Sequence, residues 1–185
     1  MLERHVAYIE RAGIAGDVVE CGVAAGGSAA LLGLTLDRHG SERALRLYDT
    51  FAGLPPPTED DPDFSRAVQW TGKCRGTLED VQTLFHRLGL NMKRIRFAKG
   101  LFQETLPQSN GPVALAHLDG DWYESTVTCL AHIWPVLSVG GVVQLDDYGE
   151  WQGCRKAVDE FFAQRQSQIA IRPIDGSAIV IERIA

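Results

Sequence analysis

The chain has 185 residues, 45% of them apolar and 23% charged, which is enough for one domain with a real core and argues against two. A formal net charge of −6, with the basic residues scattered, leaves no electrostatic footprint for nucleic acid or an anionic membrane surface. No window approaches the roughly 18 uninterrupted apolar residues of a membrane span, and the charged start MLERHVAYIERAG reads as an amphipathic helix rather than a secretory signal. Cys21, Cys74, Cys129 and Cys154 lie far apart without a CxxC pair, so separate reduced thiols and a cytoplasmic setting are expected.

GDVVECGVAAGGSAALLGLTLDRHG reads as a strand over Asp17–Glu20, a Gly-rich turn, and a helix over Ser28–Leu36. RALRLYDTFAGLP is a second strand ending at Asp49 and stopped by Gly53-Leu54-Pro55. The acidic, proline-rich stretch from Pro55 to Arg75 predicts a long loop, marked out as a lid over 55–76. Thr77-Leu78-Glu79-Asp80 has the form of an N-cap opening a helix through Leu88, closed by Gly89.

RIRFAKG is a third strand and LFQETLP a short helix or turn ended by Pro107. PVALAHLDGD is a fourth strand, apolar until its end, and STVTCLAHIWPVLSVGG a helix with a Gly-Gly stop. VVQLDDYG follows as a fifth strand, then WQGCRKAVDEFFAQRQ as an amphipathic helix with Ala157, Phe161 and Phe162 on one side. IAIRPIDGSAIVIERI alternates around Asp175-Gly176 and predicts a β-hairpin. Strands without polar alternation, separated by helices, predict a doubly wound α/β fold with a mostly parallel sheet buried on both faces. The closing hairpin adds an antiparallel strand, for a seven-stranded sheet.

In such sheets ligands bind beyond the carboxyl ends of the strands. Those ends carry Glu20-Cys21-Gly22, Asp49, Lys99-Gly100, Asp119-Gly120-Asp121 and Asp146-Asp147, so acidic groups crowd one edge. The turn ECGVAAGGS brings backbone close to a ligand, but its spacing departs from GxGxxG, and no GK[ST] follows to make a P-loop. Asp49, at the end of the next strand, is placed to accept from both hydroxyls of a ribose, a geometry that serves NAD and S-adenosylmethionine alike. Asp119, Asp146 and Asp147 converge from two strand ends, and carboxylates that close repel one another. All-oxygen ligation of a hard cation such as Mg²⁺, Mn²⁺ or Ca²⁺ relieves that repulsion. Asp121 points elsewhere along the turn and is the candidate general base for a substrate hydroxyl.

His117 shares a strand face with Asp119 and is expected to be a satisfied core residue, while His5, His39, His86 and His132 read as surface residues. Trp122, Tyr123, Tyr148 and Trp151 are expected to wall the acidic cluster.

LDGDxYEST and DDYGxWxGCRKAVDEF, with GDVVECGVAAGGSA, LYDTFAGLPPP, GTLEDVQTLFHRLGL and FAKGLFQETLP, resemble the TylF/macrocin O-methyltransferase family in order along nearly the whole chain. The resemblance implies a Rossmann-like class I methyltransferase domain over 1–185 that uses S-adenosylmethionine and Mg²⁺ on a sugar hydroxyl, as a monomer or homodimer. By it Glu20, Gly22, Ser28 and Asp49 would contact the methyl donor, with Gly100 near the adenine. Asp119 would serve both donor and metal, Asp146 and Asp147 the metal, and Asp121 would be the base. Related catechol-type methyltransferases use a lysine base where this chain has Trp122. Two departures stand out: Ala24-Ala25 replaces a bulkier, basic pair, and only about one helix precedes the first strand. A donor-binding domain of reduced activity and an NAD-dependent oxidoreductase are the alternatives.

Overall fold

The computed structural model describes residues 1–108 and 111–185. Five parallel strands, β1 (Asp17–Cys21), β2 (Leu45–Asp49), β3 (Ile95–Lys99), β4 (Val113–Leu118) and β5 (Leu137–Leu145), are joined by the hairpin β6 (Ile169–Pro173) and β7 (Ile179–Arg183). They form one sheet in the order β3-β2-β1-β4-β5-β7-β6, with β7 antiparallel to both neighbours. The helices are α1 (Leu2–Arg11), α2 (Gly27–Arg38), α3 (Phe64–Ala67), α4 (Leu78–Arg87), α5 (Phe102–Thr105), α6 (Tyr123–Ile133) and α7 (Gln152–Phe162).

Successive strand residues face opposite sides of a sheet, and here both sides are buried. Val18, Leu115 and Val142 pack with α1, α2 and α4 through Val6, Ile9, Leu32, Leu36 and Phe85. Val19, Ala116 and Val143 pack on the other face with Leu130, Ile133, Val158 and Phe162 of α6 and α7. That two-sided burial is why the central strands read as continuous apolar runs.

The register levels the strand ends. Cys21 lies beside Leu118, and Leu118 beside Leu145. The ladder continues one residue further, with Asp119 N–H donating to Cys21 O at 2.8 Å and Asp146 N–H to Leu118 O at 3.1 Å. Asp119 and Asp146 therefore leave the sheet side by side.

Two expectations need correction. Gly140-Gly141 does not stop the helix: α6 ends at Ile133, Pro135 sits in a 3₁₀ turn, and β5 has begun at Leu137. The buried Leu137 side chain pairs beside Val113, and the glycines form a bulge before pairing resumes at Leu115–Val142. His5 is buried rather than exposed, because α1 lies against the sheet on its Leu2, His5, Val6 and Ile9 face. Burial pushes its imidazole down to about 4.

The start of α4 forms as its sequence predicts. Thr77 Oγ1 accepts from Asp80 N–H at 3.1 Å and donates to the Asp80 carboxylate at 2.6 Å. Thr77→Ala should cost about 1 kcal/mol of stability, read as a lower denaturant midpoint with an unchanged slope.

Candidate active site

A cavity of about 440 Å³ opens at the carboxyl edge of the sheet. Gly22, Ala24, Asp49 and Thr50 line it from the first two strand ends, and Asp119, Gly120, Asp121 and Trp122 from the fourth. Leu54 to Thr58 and Leu101 to Gln103 complete it with largely apolar wall. Glu20, Ser28, Gly100, Asp146 and Asp147 are not part of that lining.

Gly22 has φ +92°, and a Cβ there would overlap the backbone carbonyl of Asp119, so only glycine lets the first turn run against the fourth strand end. Asp49 ties this turn to β2: its Oδ2 accepts from Val23 N–H at 2.7 Å and Ala24 N–H at 3.0 Å, while Oδ1 accepts from Phe51 N–H at 2.6 Å. Oδ2 is filled; Oδ1 also lies 3.4 Å from the Thr50 hydroxyl, but that single proton has a closer acceptor in Gly53 O at 2.9 Å, which leaves Oδ1 able to take another donor. Gly100 N–H donates to Asp49 O at 3.0 Å, bringing the third strand end against the second.

One row deeper, β1, β4 and β5 place Glu20, His117 and Gln144 side by side. Glu20 is fully buried, and its Oε1 lies 2.8 Å from His117 Nδ1. Glu20 Oε2 has no hydrogen-bond partner, and Ser28 is near enough to favour its ionised form. Burial alone would push His117 down, but its contacts with Asp146 and Glu20 win and hold it at about 10. Its Nε2 lies 3.3 Å from Asp146 Oδ1, which also accepts from Gln144 at 2.8 Å. The same His117 contact holds the Asp146 carboxyl below its usual range, whereas burial pushes Glu20 up against the pull of His117. His117 is thus buried in the core as expected but satisfied by hydrogen bonding only at Nδ1; at Nε2 it has the ion-pair contact with Asp146 and no hydrogen bond, and it is the cation standing between two acidic groups.

The acidic residues form two overlapping clusters: His117, Asp119 and Asp146 in one, and Asp119, Asp121 and Asp147 in the other, with candidate ligand atoms within 4.8 Å of one another in each. The expected trio of Asp119, Asp146 and Asp147 is therefore divided, since Asp146 turns to His117 while Asp147 Oδ2 accepts from Asp121 N–H at 2.9 Å. Burial, then the charge of a neighbouring carboxylate, pushes Asp119, Asp121 and Asp147 each up to about 7. Carboxylate oxygens are the donor set of a hard cation, and a cluster so destabilised in its ionised form fits one.

Asp121 has φ +59°, and the other non-glycine residues in this region of the backbone are Ala24, Phe51 and Cys74 among the described residues. Ala24, Cys74 and Asp121 all line the cavity, so backbone strain collects at the candidate site. The aromatic wall is smaller than expected. Trp122 lines the cavity and Trp151 packs edge-on against it at 4.9 Å, with its side chain favouring the ionised form of Asp121. Tyr123 and Tyr148 instead send their hydroxyls to Glu160 and Asp159 on α7. Asp61, Leu101 to Gln103, Glu124 and Ser125 were not singled out by sequence, and only the strand-end position of 101–103 could have marked any of them.

Strand order, the Gly-rich first turn and acidic second and fourth strand ends define a Rossmann-like methyltransferase fold. The family model of macrocin-O-methyltransferase (TylF) matches residues 1–183, and the chain belongs to that family. It is 37% identical over 172 residues to the 8-demethyl-8-(2,3-dimethoxy-alpha-L-rhamnosyl)-tetracenomycin-C 4'-O-methyltransferase of Streptomyces olivaceus, covering 90% of this chain and 66% of that one. It is 32% identical over 186 residues to the mycinamicin III 3''-O-methyltransferase of Micromonospora griseorubida, covering 95% and 71%. The chain thus spans about two thirds of the length of the curated relatives it matches. The solved structure of the O-methyltransferase NovP superposes with a TM-score of 0.90 at 31% identity, over 100% of this chain and 78% of that one. Among the described residues no helix is long and apolar enough to cross a membrane.

Removing the central cation of the buried row has a defined consequence. His117→Leu leaves Glu20 buried without its partner and should cost about 3–5 kcal/mol in urea unfolding. Adding Glu20→Gln should recover a large share, whereas a loss under about 1 kcal/mol would contradict the pairing.

Proposed function

We propose that the chain is an S-adenosylmethionine-dependent O-methyltransferase acting on a sugar hydroxyl of a glycosylated natural product, with a hard divalent ion at the acidic cluster. Residues 1–185 would work as one methyltransferase domain, with 55–76 as a lid, in the cytoplasm. The observation that carries this reading is geometric: Asp121 lines the cavity, and its carboxylate lies with those of Asp119 and Asp147 in one cluster whose candidate ligand atoms are within 4.8 Å of one another. A carboxylate beside a site fit for a cation suits removal of a proton from an alcohol, because the cation's charge would make that alcohol more acidic. Family membership and the sugar hydroxyls named for its relatives support the reaction and the acceptor class.

S-adenosylmethionine would supply an electrophilic methyl group. Gly22 and Asp49 on the cavity wall, with Glu20 and Ser28 outside it, are the groups proposed to hold it, with Asp49 Oδ1 taking a ribose hydroxyl and Gly100 beside the adenine. Asp119, Asp146 and Asp147 are the residues that would hold a divalent ion, whose charge would make an acceptor hydroxyl more acidic. To join that set, Asp146 would have to give up its His117 contact. Asp121 takes the hydroxyl proton while the acceptor oxygen gains the methyl, the methyl–sulfur bond breaking with its electron pair left on the donor's sulfur as a neutral thioether, and Leu54, Pro55, Leu101, Phe102 and Trp122 keep water from the reacting atoms.

Incubation with labelled donor and a panel of glycosylated natural products tests this directly. Transfer should occur, cease with EDTA and return with Mg²⁺ or Mn²⁺. Asp121→Asn should lower kcat about 10²–10⁴-fold with donor affinity retained. Turnover indifferent to both chelator and Asp121→Asn would remove the ion and the base together.

A further inference from the structure

The helices that follow the two acidic strand ends begin without caps of their own. Trp122 and Trp151 occupy the N-cap positions of α6 and α7, and neither supplies a capping side chain. An indole carries a donor and no acceptor, so the first N–H groups of both helices need partners from elsewhere. Those partners come from the acidic segment before α3. Asp61 Oδ1 accepts from Tyr123 N–H at 2.8 Å, and Asp63 Oδ2 from Gln152 N–H at 3.3 Å.

Asp61 does more than cap. Its Oδ2 accepts from Thr58 N–H at 2.9 Å, so one carboxylate spans the end of the Leu54–Thr58 wall and the start of α6. It is 2% exposed and makes no ion pair with lysine or arginine among the described residues; backbone N–H groups and helix N-termini balance its charge. A Cβ on Gly153, in the first turn of α7, would overlap Asp61 Oδ1 and come within 3.0 Å of Tyr123 N. The carboxylate is therefore wedged between the first turns of two helices. Around it, Trp122 Nε1 donates to Pro55 O at 2.7 Å, and the Arg66 guanidinium lies 4.1 Å above the Trp151 ring.

We propose that Asp61 is a positioning residue of the acceptor cavity, fixing the separation between the Pro55–Thr58 wall and the Asp119–Trp122 turn that carries the candidate base. The proposal rests on the reading of this cavity as the acceptor site. It gives the acidic segment a function beyond covering the site: docking of the segment and placement of Asp121 are one event.

Two variants test it. Asp61→Asn keeps the shape but presents a single acceptor oxygen, so it can serve only one of the two N–H donors. Gly153→Ala displaces the carboxylate while leaving Asp61 in place. In each, hydrogen exchange at the Thr58 or Tyr123 amide should rise about tenfold or more, with both opened in Gly153→Ala, while α4 stays protected as in the parent. The acceptor KM should rise about tenfold in both, with donor Kd within about twofold. With Asp61→Ala measured as a third single variant, the double variant Asp61→Ala/Gly153→Ala should fall well short of the sum of its two single effects, because the overlap with the carboxylate is gone. Unchanged exchange at both amides, or opened amides with an unchanged acceptor KM, would overturn the proposal. If the parent chain transfers no methyl group, the exchange result still decides the tether, and the failure falls on the proposed function instead.

Discussion

Like-charge crowding at the ends of β4 and β5 is the constraint to which the rest of the site answers. Asp119, Asp121 and Asp147 stand close together, Asp147 buried and the other two half-buried at the cavity wall, and each is pushed up to about 7. Other carboxylates act on all three, and the cation His117 opposes them at Asp119 and Asp147. A fold gains nothing from such a cluster by itself, since both burial and repulsion disfavour the ionised forms. Its value lies in what it can hold.

Several features keep the cluster in place. The level register of β1, β4 and β5 sets the strand ends beside each other, and the glycine at position 22 lets the first turn run against Asp119. Beneath them the Glu20–His117–Asp146 line supplies a positive charge without exposing it to the cavity. Beyond the sheet, the left-handed backbone of Asp121 is held by its N–H bond to Asp147, and the helix that follows is capped by Asp61 from another part of the chain. Strain and charge here are balanced by hydrogen bonds reaching in from three sides.

Much of this was legible in the sequence because it is local. Apolar runs mark the buried strands, and the carboxylates that stop them mark the ligand edge. Thr77 and Asp80 announce a helix start on their own. What stayed hidden depends on partners distant along the chain. Gly140-Gly141 looks like a helix stop until Leu137 is seen pairing beside Val113. His5 looks exposed until α1 is laid on the sheet, and Tyr123 and Tyr148 look like cavity residues until α7 offers them Glu160 and Asp159. Asp61 reads as one more acid in a polar loop; only Tyr123 N–H, Thr58 N–H and the space left by Gly153 distinguish it from Glu59 and Asp60.

The central claim is that carboxylates from two adjacent strands share one hard cation. Anomalous diffraction from a crystal grown with Mn²⁺ tests it most directly. The account predicts a single strong peak bonded to oxygens of Asp119 and of the 146–147 pair, with Asp146 turned away from His117. A crystal showing no peak there, or manganese bound only by surface acids while Asp146 keeps its contact with His117, would contradict it.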